Sequence, residues 1–261
     1  MLSPTRKLPP AIGLTFLFAA SATPETTLKD AFADHFLVGA ALNESHFAEH
    51  NPAHAGLVAA NFNAITAENV MKWEAVHPRP GEYTFGAADR FVEFGEKNGL
   101  FIVGHTLIWH SQTPAWVFED ENGAPLGREA LLERMRDHIH TVAGRYRGRV
   151  KGWDVVNEAL AEDGSLRDSP WRRIIGDDYF VKAFEFAREA DPDAELYYND
   201  YSIENEPKRK GAVALVRTLQ AAGVPVAGVG IQGHGNLHWP SPRLVEEAIR
   251  DFASLGVKVM I

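Results

Sequence analysis

Residues 150–158 read VKGWDVVNE, and the short apolar run Trp153-Asp154-Val155-Val156 has the character of a buried strand. It closes on Asn157 and Glu158, an amide beside a carboxylate. Burying a carboxylate is costly unless something compensates it, so Glu158 is either half of an ion pair or a working acid. Which of the two depends on what the rest of the fold brings to this strand end.

The same pattern recurs outward in both directions. Strands are predicted at 36–42, 63–69, 100–109, 150–158, 194–200, 227–234 and 257–261. Helical segments are predicted at 87–99, 128–146, 177–190, 208–223 and 241–256. The last opens with Ser-Pro and closes on Gly, the expected start and stop signals. Strand and helix alternating without a break in composition imply parallel strands joined by helical crossovers. A doubly wound sheet and a barrel both satisfy that pattern. Nearly every strand here ends in polar residues: Glu68-Asn69, His105 to His110, Asn157-Glu158, Asn199-Asp200 and Gln232 to His234. A barrel gathers all strand ends around one mouth, whereas an open sheet uses one switch point. The pattern therefore predicts an α/β fold of the (β/α)8 TIM barrel type. Seven strands are countable, so the barrel is expected to be truncated within the seventh.

Composition narrows the function. The chain has 261 residues, 45% hydrophobic and 23% charged, which suits one large globular domain. A formal charge of −9 argues against a nucleic-acid partner. With no cysteine, disulfides and thiolate chemistry are excluded. Arg6 and Lys7 precede the apolar run 11–20 and the small residues of 20–22, the order of a secretory signal peptide. That run is too short to span a membrane, which takes about 20 residues. Residues 1–22 are thus expected to direct export to the periplasm or the exterior, and no membrane partner is expected.

GVGIQG at 228–233 matches G-x-G-x-x-G literally. A dinucleotide site needs those glycines to open a helix, and HGNLHWPSP delays any helix to about Pro242. His46, His50 and His54 have a spacing that could share a helix face, but Pro52 interrupts it. Neither a cofactor nor a metal is expected. Glu68, Glu158 and Asp200 close three different strands, and Glu68 could simply pair with Lys72. Paired carboxylates, however, serve glycoside hydrolysis, in which one must stay protonated to donate to the leaving oxygen. Trp73, Trp109, Trp116, Trp153, Tyr201 and Trp239 lie near the strand ends, where aromatic faces can stack on sugar rings; Trp153 reads as core.

Taken together, TAENVMKW (66–73), GHTLIWHSQTPAW (104–116), WDVVNEAL (153–160), DGSLRDSPWRRIIGDDY (163–179), YYNDYSIE (197–204) and GVGIQGH (228–234) resemble the family 10 glycoside hydrolases, endo-β-1,4-xylanases built on a (β/α)8 barrel. The resemblance covers the chain from about residue 30 to its end and implies a catalytic domain over 23–261. It also implies retaining double displacement on xylan or xylo-oligosaccharides by a monomer. Glu158 matches the acid/base, and Asn157 its neighbour that bonds the sugar 2-hydroxyl. Gln232 and His234 match the pair that positions the nucleophile. Glu68, Asn69 and Lys72 match glycone-side contacts, while His105 and Trp109, with Gln112 in the same segment, match the central subsite. Tyr201 matches an aromatic on the leaving-group side. Two departures stand out. Ser202 replaces a common Asn, and the nucleophilic Glu that ends the family's seventh strand has no counterpart up to Ile261. The chain is therefore expected to be C-terminally incomplete. A non-catalytic β-glycan-binding protein and a β-1,4-glucanase are the alternative readings of the residues.

Overall fold

A computed structural model of the chain describes residues 26–47 and 51–261. The predicted signal peptide at 1–22, and His50, lie outside the described residues. Seven strands form one sheet: β1 (Gly39–Leu42), β2 (Ala64–Ala67), β3 (Phe101–Trp109), β4 (Gly152–Asn157), β5 (Glu195–Tyr201), β6 (Gly228–Gln232) and β7 (Lys258–Met260). Their spatial order is their sequence order, and every neighbouring pair is parallel. Each predicted strand is present, with ends displaced by up to three residues.

The helices are α1 (Leu28–Ala31), α2 (Glu44–Phe47), α3 (Pro52–Asn61), α4 (Trp73–Val76), α5 (Gly86–Lys97), α6 (Arg128–Arg145), α7 (Pro170–Ile175), α8 (Tyr179–Ala190), α9 (Glu206–Ala221) and α10 (Pro242–Ala253). All five predicted helices appear. Helix α3, which returns the chain from β1 to β2, has no counterpart in the sequence reading. Pro52 sits at its first turn and Asn51 caps it, accepting from the His54 amide. Proline, read as an interruption between His50 and His54, is here the start signal. Helices α7 and α10 begin the same way, with Ser169 and Ser241 as caps ahead of Pro170 and Pro242.

Strand β4 is buried along its whole length, which is why it reads as an apolar run rather than an alternating one. Helix α6 buries Leu131, Met135, His138, Ile139 and Val142, one stripe at helical spacing. The glycines of GVGIQG are explained by close packing. A β-carbon on Gly228 would stand 2.6 Å from the Tyr197 ring, and one on Gly230 would collide with the Asn199 carboxamide. Strand β6 then runs into a loop, and α10 begins only at Pro242. Among the described residues no helix is long and apolar enough to cross a membrane.

Under the rim lies a buried aromatic stack. Trp73 is 2% exposed and lies flat on His138, with ring centroids 3.4 Å apart. His77 Nδ1 faces His138 Nδ1 at 3.2 Å, so one ring donates and the other accepts. The sequence reading offers Trp73 as a possible sugar platform, but its faces are consumed by this stack. Burial, with Arg134 adding repulsion, lowers the His77 pKa to about 4. Burial also holds His138 well below the ordinary value, with His77 adding to the effect. The unfolded chain therefore binds protons near pH 6.5 that the folded chain refuses. The stability that these neutral rings contribute is intact above pH 6.5 and is lost as pH falls toward 4. Unfolding free energies from urea titrations between pH 7 and 4.5 are expected to fall, by about 1 kcal/mol or more per pH unit below 6.5. A flat profile would contradict a buried neutral pair.

Candidate active site

Parallel pairing delivers the C-terminal ends of β2 to β6 to one rim. Three non-glycine residues adopt left-handed backbone there: Gln112 (φ 47°), Glu158 (φ 58°) and Ser202 (φ 54°). They follow β3, β4 and β5. Non-glycine residues held in this region cost on the order of 1 kcal/mol each and persist where surrounding contacts over-determine them.

Glu158 is over-determined. Trp109 Nε1 donates to Oε2 at 2.9 Å, and Gln232 Nε2 donates to Oε1 at 3.2 Å. Its N–H donates to the Asn199 carbonyl at 2.8 Å, and its own carbonyl accepts from Arg167 Nε at 3.0 Å. Asn157, buried beside it, accepts from Asn199 Nδ2 and Gln232 Nε2, both at 2.9 Å. Turning the Asn157 amide over would gain the Asn199 carbonyl at 3.1 Å and Trp109 Nε1 at 3.3 Å, but would set NH2 against NH2 twice at 2.9 Å and lose both amide donors, which favours the carbonyl-inward orientation. Gln232 is oriented in turn by His234, whose Nε2 lies 2.9 Å from Gln232 Oε1. His234, Gln232, Asn157 and Glu158 thus form one chain of hydrogen bonds.

A second group lies alongside. Lys72 Nζ donates to Asn69 Oδ1 at 2.9 Å and to Gln112 Oε1 at 2.7 Å, and sits 4.9 Å from the Trp109 ring centroid. The possible Lys72–Glu68 ion pair is not formed. Lys72 donates to two amides instead, and Glu68, exposed at the rim, accepts only a long 3.5 Å bond from Asn69 Nδ2. Burial lowers the Lys72 pKa, against the pull of Glu68, Glu158 and Glu74. His105 Nδ1 is 2.8 Å from Asp154 Oδ2, which leaves Nε2 free for a ligand when Nδ1 carries the proton.

Of the three strand-end carboxylates, Asp200 is the structural one. Lys208 Nζ lies 3.0 Å from Asp200 Oδ1, with both side chains at 0% exposure. Burial raises the Asp200 pKa, and Lys208 and the Tyr198 hydroxyl oppose that rise. Of the eleven site residues that the resemblance implies, ten lie at or just past the ends of their strands, and His105 lies within β3, in register with Asp154. The sequence reading missed Arg167, Asp154 and Trp171, whose Nε1 donates to the Trp109 carbonyl at 2.9 Å. Asp154 lies mid-strand, where polarity alone could have marked it. His46 and His54 fall on α2 and α3, and among the described residues no three metal-ligating side chains converge.

The model of the family described as "Glycosyl hydrolase family 10" matches residues 27–261. A β-1,4-xylanase from Dictyoglomus thermophilum is 45% identical over 237 residues, 90% of this chain and 64% of its own length. The chain spans 64% to 70% of the length of several of its relatives and about a third or less of some longer ones. A family 10 endoxylanase from a sugarcane soil metagenome has a TM-score of 0.87 at 46% identity, over 90% of this chain and 68% of the other. An intracellular xylanase from Thermoanaerobacterium saccharolyticum, solved as a mutant with xylotriose, has a TM-score of 0.86 at 40% identity, over 90% and 75%. The seven strands are accordingly those of a (β/α)8 barrel of which the chain forms the greater part.

Breaking a buried ion pair on one side is expected to cost about 3–5 kcal/mol, because the other charge is left uncompensated. Lys208→Met should lower the urea-derived stability by that order, and the double change Lys208→Met with Asp200→Asn should recover most of it. Additive losses would show that the two groups do not depend on each other.

Proposed function

The chain belongs to glycosyl hydrolase family 10, and on that premise we propose that it hydrolyses internal β-1,4-xylosidic linkages of xylan with retention. The observation that carries this reading is Glu158, standing at the end of β4 with both carboxylate oxygens and both flanking peptide groups held by named partners. A carboxyl fixed in this way can protonate a glycosidic oxygen and then, as carboxylate, take a proton from the water that completes the second displacement.

The surrounding residues divide the work. Asn157 offers its Nδ2 beside Glu158, where a sugar 2-hydroxyl would lie. Glu68, Asn69, Lys72 and Gln112 supply charged and amide groups for the glycone side. His105 and Trp109 frame the scissile bond, and Tyr201 carries the sugar on the leaving side. The Gln232–His234 pair faces the position from which a nucleophile would attack. In retaining enzymes the second carboxyl stands about 5–5.5 Å from the first. The resemblance puts that Glu directly after β7, and β7 here is followed by Ile261.

A polypeptide of these 261 residues is therefore expected to release reducing sugar from xylan at least about a thousandfold more slowly than the same polypeptide extended by a family 10 C-terminal segment that supplies the Glu. Equal rates would sink the assignment of Glu158 as half of a pair. In the extended form Glu158→Gln should abolish turnover while oligosaccharide binding survives. Faster release from β-1,4-glucan than from xylan would favour the glucanase reading instead.

We also infer that the protein acts as a monomer on xylan or xylo-oligosaccharides outside the cytoplasm, without a nucleic-acid or membrane partner. The basic, apolar and small-residue order of residues 1–22 supports export. Recovery of the protein with an unprocessed N-terminus from the cytoplasm of its source would count against it.

A further inference from the structure

Arg167 lies in the loop between β4 and α7, and its one guanidinium touches both sides of the proposed leaving-group site. Nε donates to the Glu158 carbonyl at 3.0 Å, and Nη2 donates to the Leu160 carbonyl at 2.8 Å and to the Tyr201 phenol oxygen at 3.0 Å. The guanidinium carbon stands 5.8 Å from the Tyr201 ring centroid, while Lys208 Nζ stands 3.3 Å from it. The ring is thus pinned by one cation at its hydroxyl and another at its face. Glu158, in the left-handed region at φ 58°, has its N–H tied to β5 and its carbonyl tied to Arg167.

We propose that Arg167 is a positioning residue that holds the Glu158 carboxyl and the Tyr201 platform at one fixed separation. A sugar lying against Tyr201 would then present its glycosidic oxygen to Glu158 without further rearrangement. A planar guanidinium can serve three acceptors from one plane, which a single ammonium on a flexible stem cannot reproduce. Because the phenol oxygen accepts from Arg167, the Tyr201 O–H is left to donate, and a sugar hydroxyl is the acceptor it would meet. The role matters only when a ligand crosses from the Glu68–Lys72 side past Glu158 to Tyr201. The proposal rests on the xylan reading.

Calorimetric titration of the 261-residue protein with xylobiose and with xylohexaose tests it, using wild type, Arg167→Met, Arg167→Lys and Tyr201→Phe, each checked by a thermal melt. Loss of charge-assisted hydrogen bonds is expected to weaken xylohexaose about tenfold or more in both Arg167 variants. Tyr201→Phe should weaken it severalfold, and xylobiose should bind each variant as it binds wild type. A merely structural role would lower both ligands together, and that result overturns the proposal. Wild-type affinity in Arg167→Lys overturns it too, since charge alone would then suffice. Should Arg167→Met fail to fold, Tyr201→Phe decides: it removes one acceptor and no charge, and unchanged xylohexaose affinity overturns the link. If wild type binds neither ligand, the xylan reading itself fails, a result distinct from any of these.

Discussion

Consecutive strands pair in parallel, each carried back to the starting end by a helix, and so every strand must deliver its last residues to the same rim. Residues far apart in the chain become neighbours through that one geometric constraint. Gln232 reaches Glu158 across 74 positions, and Lys72 reaches Gln112 across 40. Side chains from the ends of β2, β3, β4 and β6 thereby meet in two adjoining hydrogen-bonded groups.

The cluster is held by directional bonds rather than by charge pairing. Glu158 is met by an indole and an amide, Asn157 by two amides, and Lys72 by two amide oxygens. Neutral partners leave the charged groups available to a ligand, whereas an ion pair at the same place would spend them. A fully buried ion pair near the rim, Lys208 with Asp200, lies behind Tyr201 and shapes the rim from underneath. Buried ion pairs are weak sources of stability, so its place beneath an aromatic ring is better understood as fixing geometry.

Much of this was legible in the residues. Seven apolar runs with polar ends predict seven parallel strands, and their boundaries agree to within about three residues. The glycines of GVGIQG run from β6 into a loop and not directly into a helix, as HGNLHWPSP implies, and Tyr197 and Asn199 on β5 show what they accommodate. Three points were not legible. Pro52 looks like a break until Asn51 is seen capping a helix ahead of it. Trp73 looks like a platform until His138 is found against its face. Glu68 looks like the partner of Lys72 until two amides are found to have taken it. Each point concerns which of several nearby groups wins a contact, and that is decided by packing from elements far away in the chain.

Strand and helix periodicity, cap residues, and the identity of the groups at each strand end are local properties, and the amino-acid sequence by itself determined them, together with family 10 membership. Only the tertiary structure decided that Asp200 is closed in a buried ion pair while the Glu158 carboxylate is met by neutral donors. Only it showed that Arg167 joins the Glu158 backbone to Tyr201. Both facts depend on side chains meeting across different strands and loops. Such meetings follow from the register of parallel strands and the burial of each face, quantities that no local window of sequence contains.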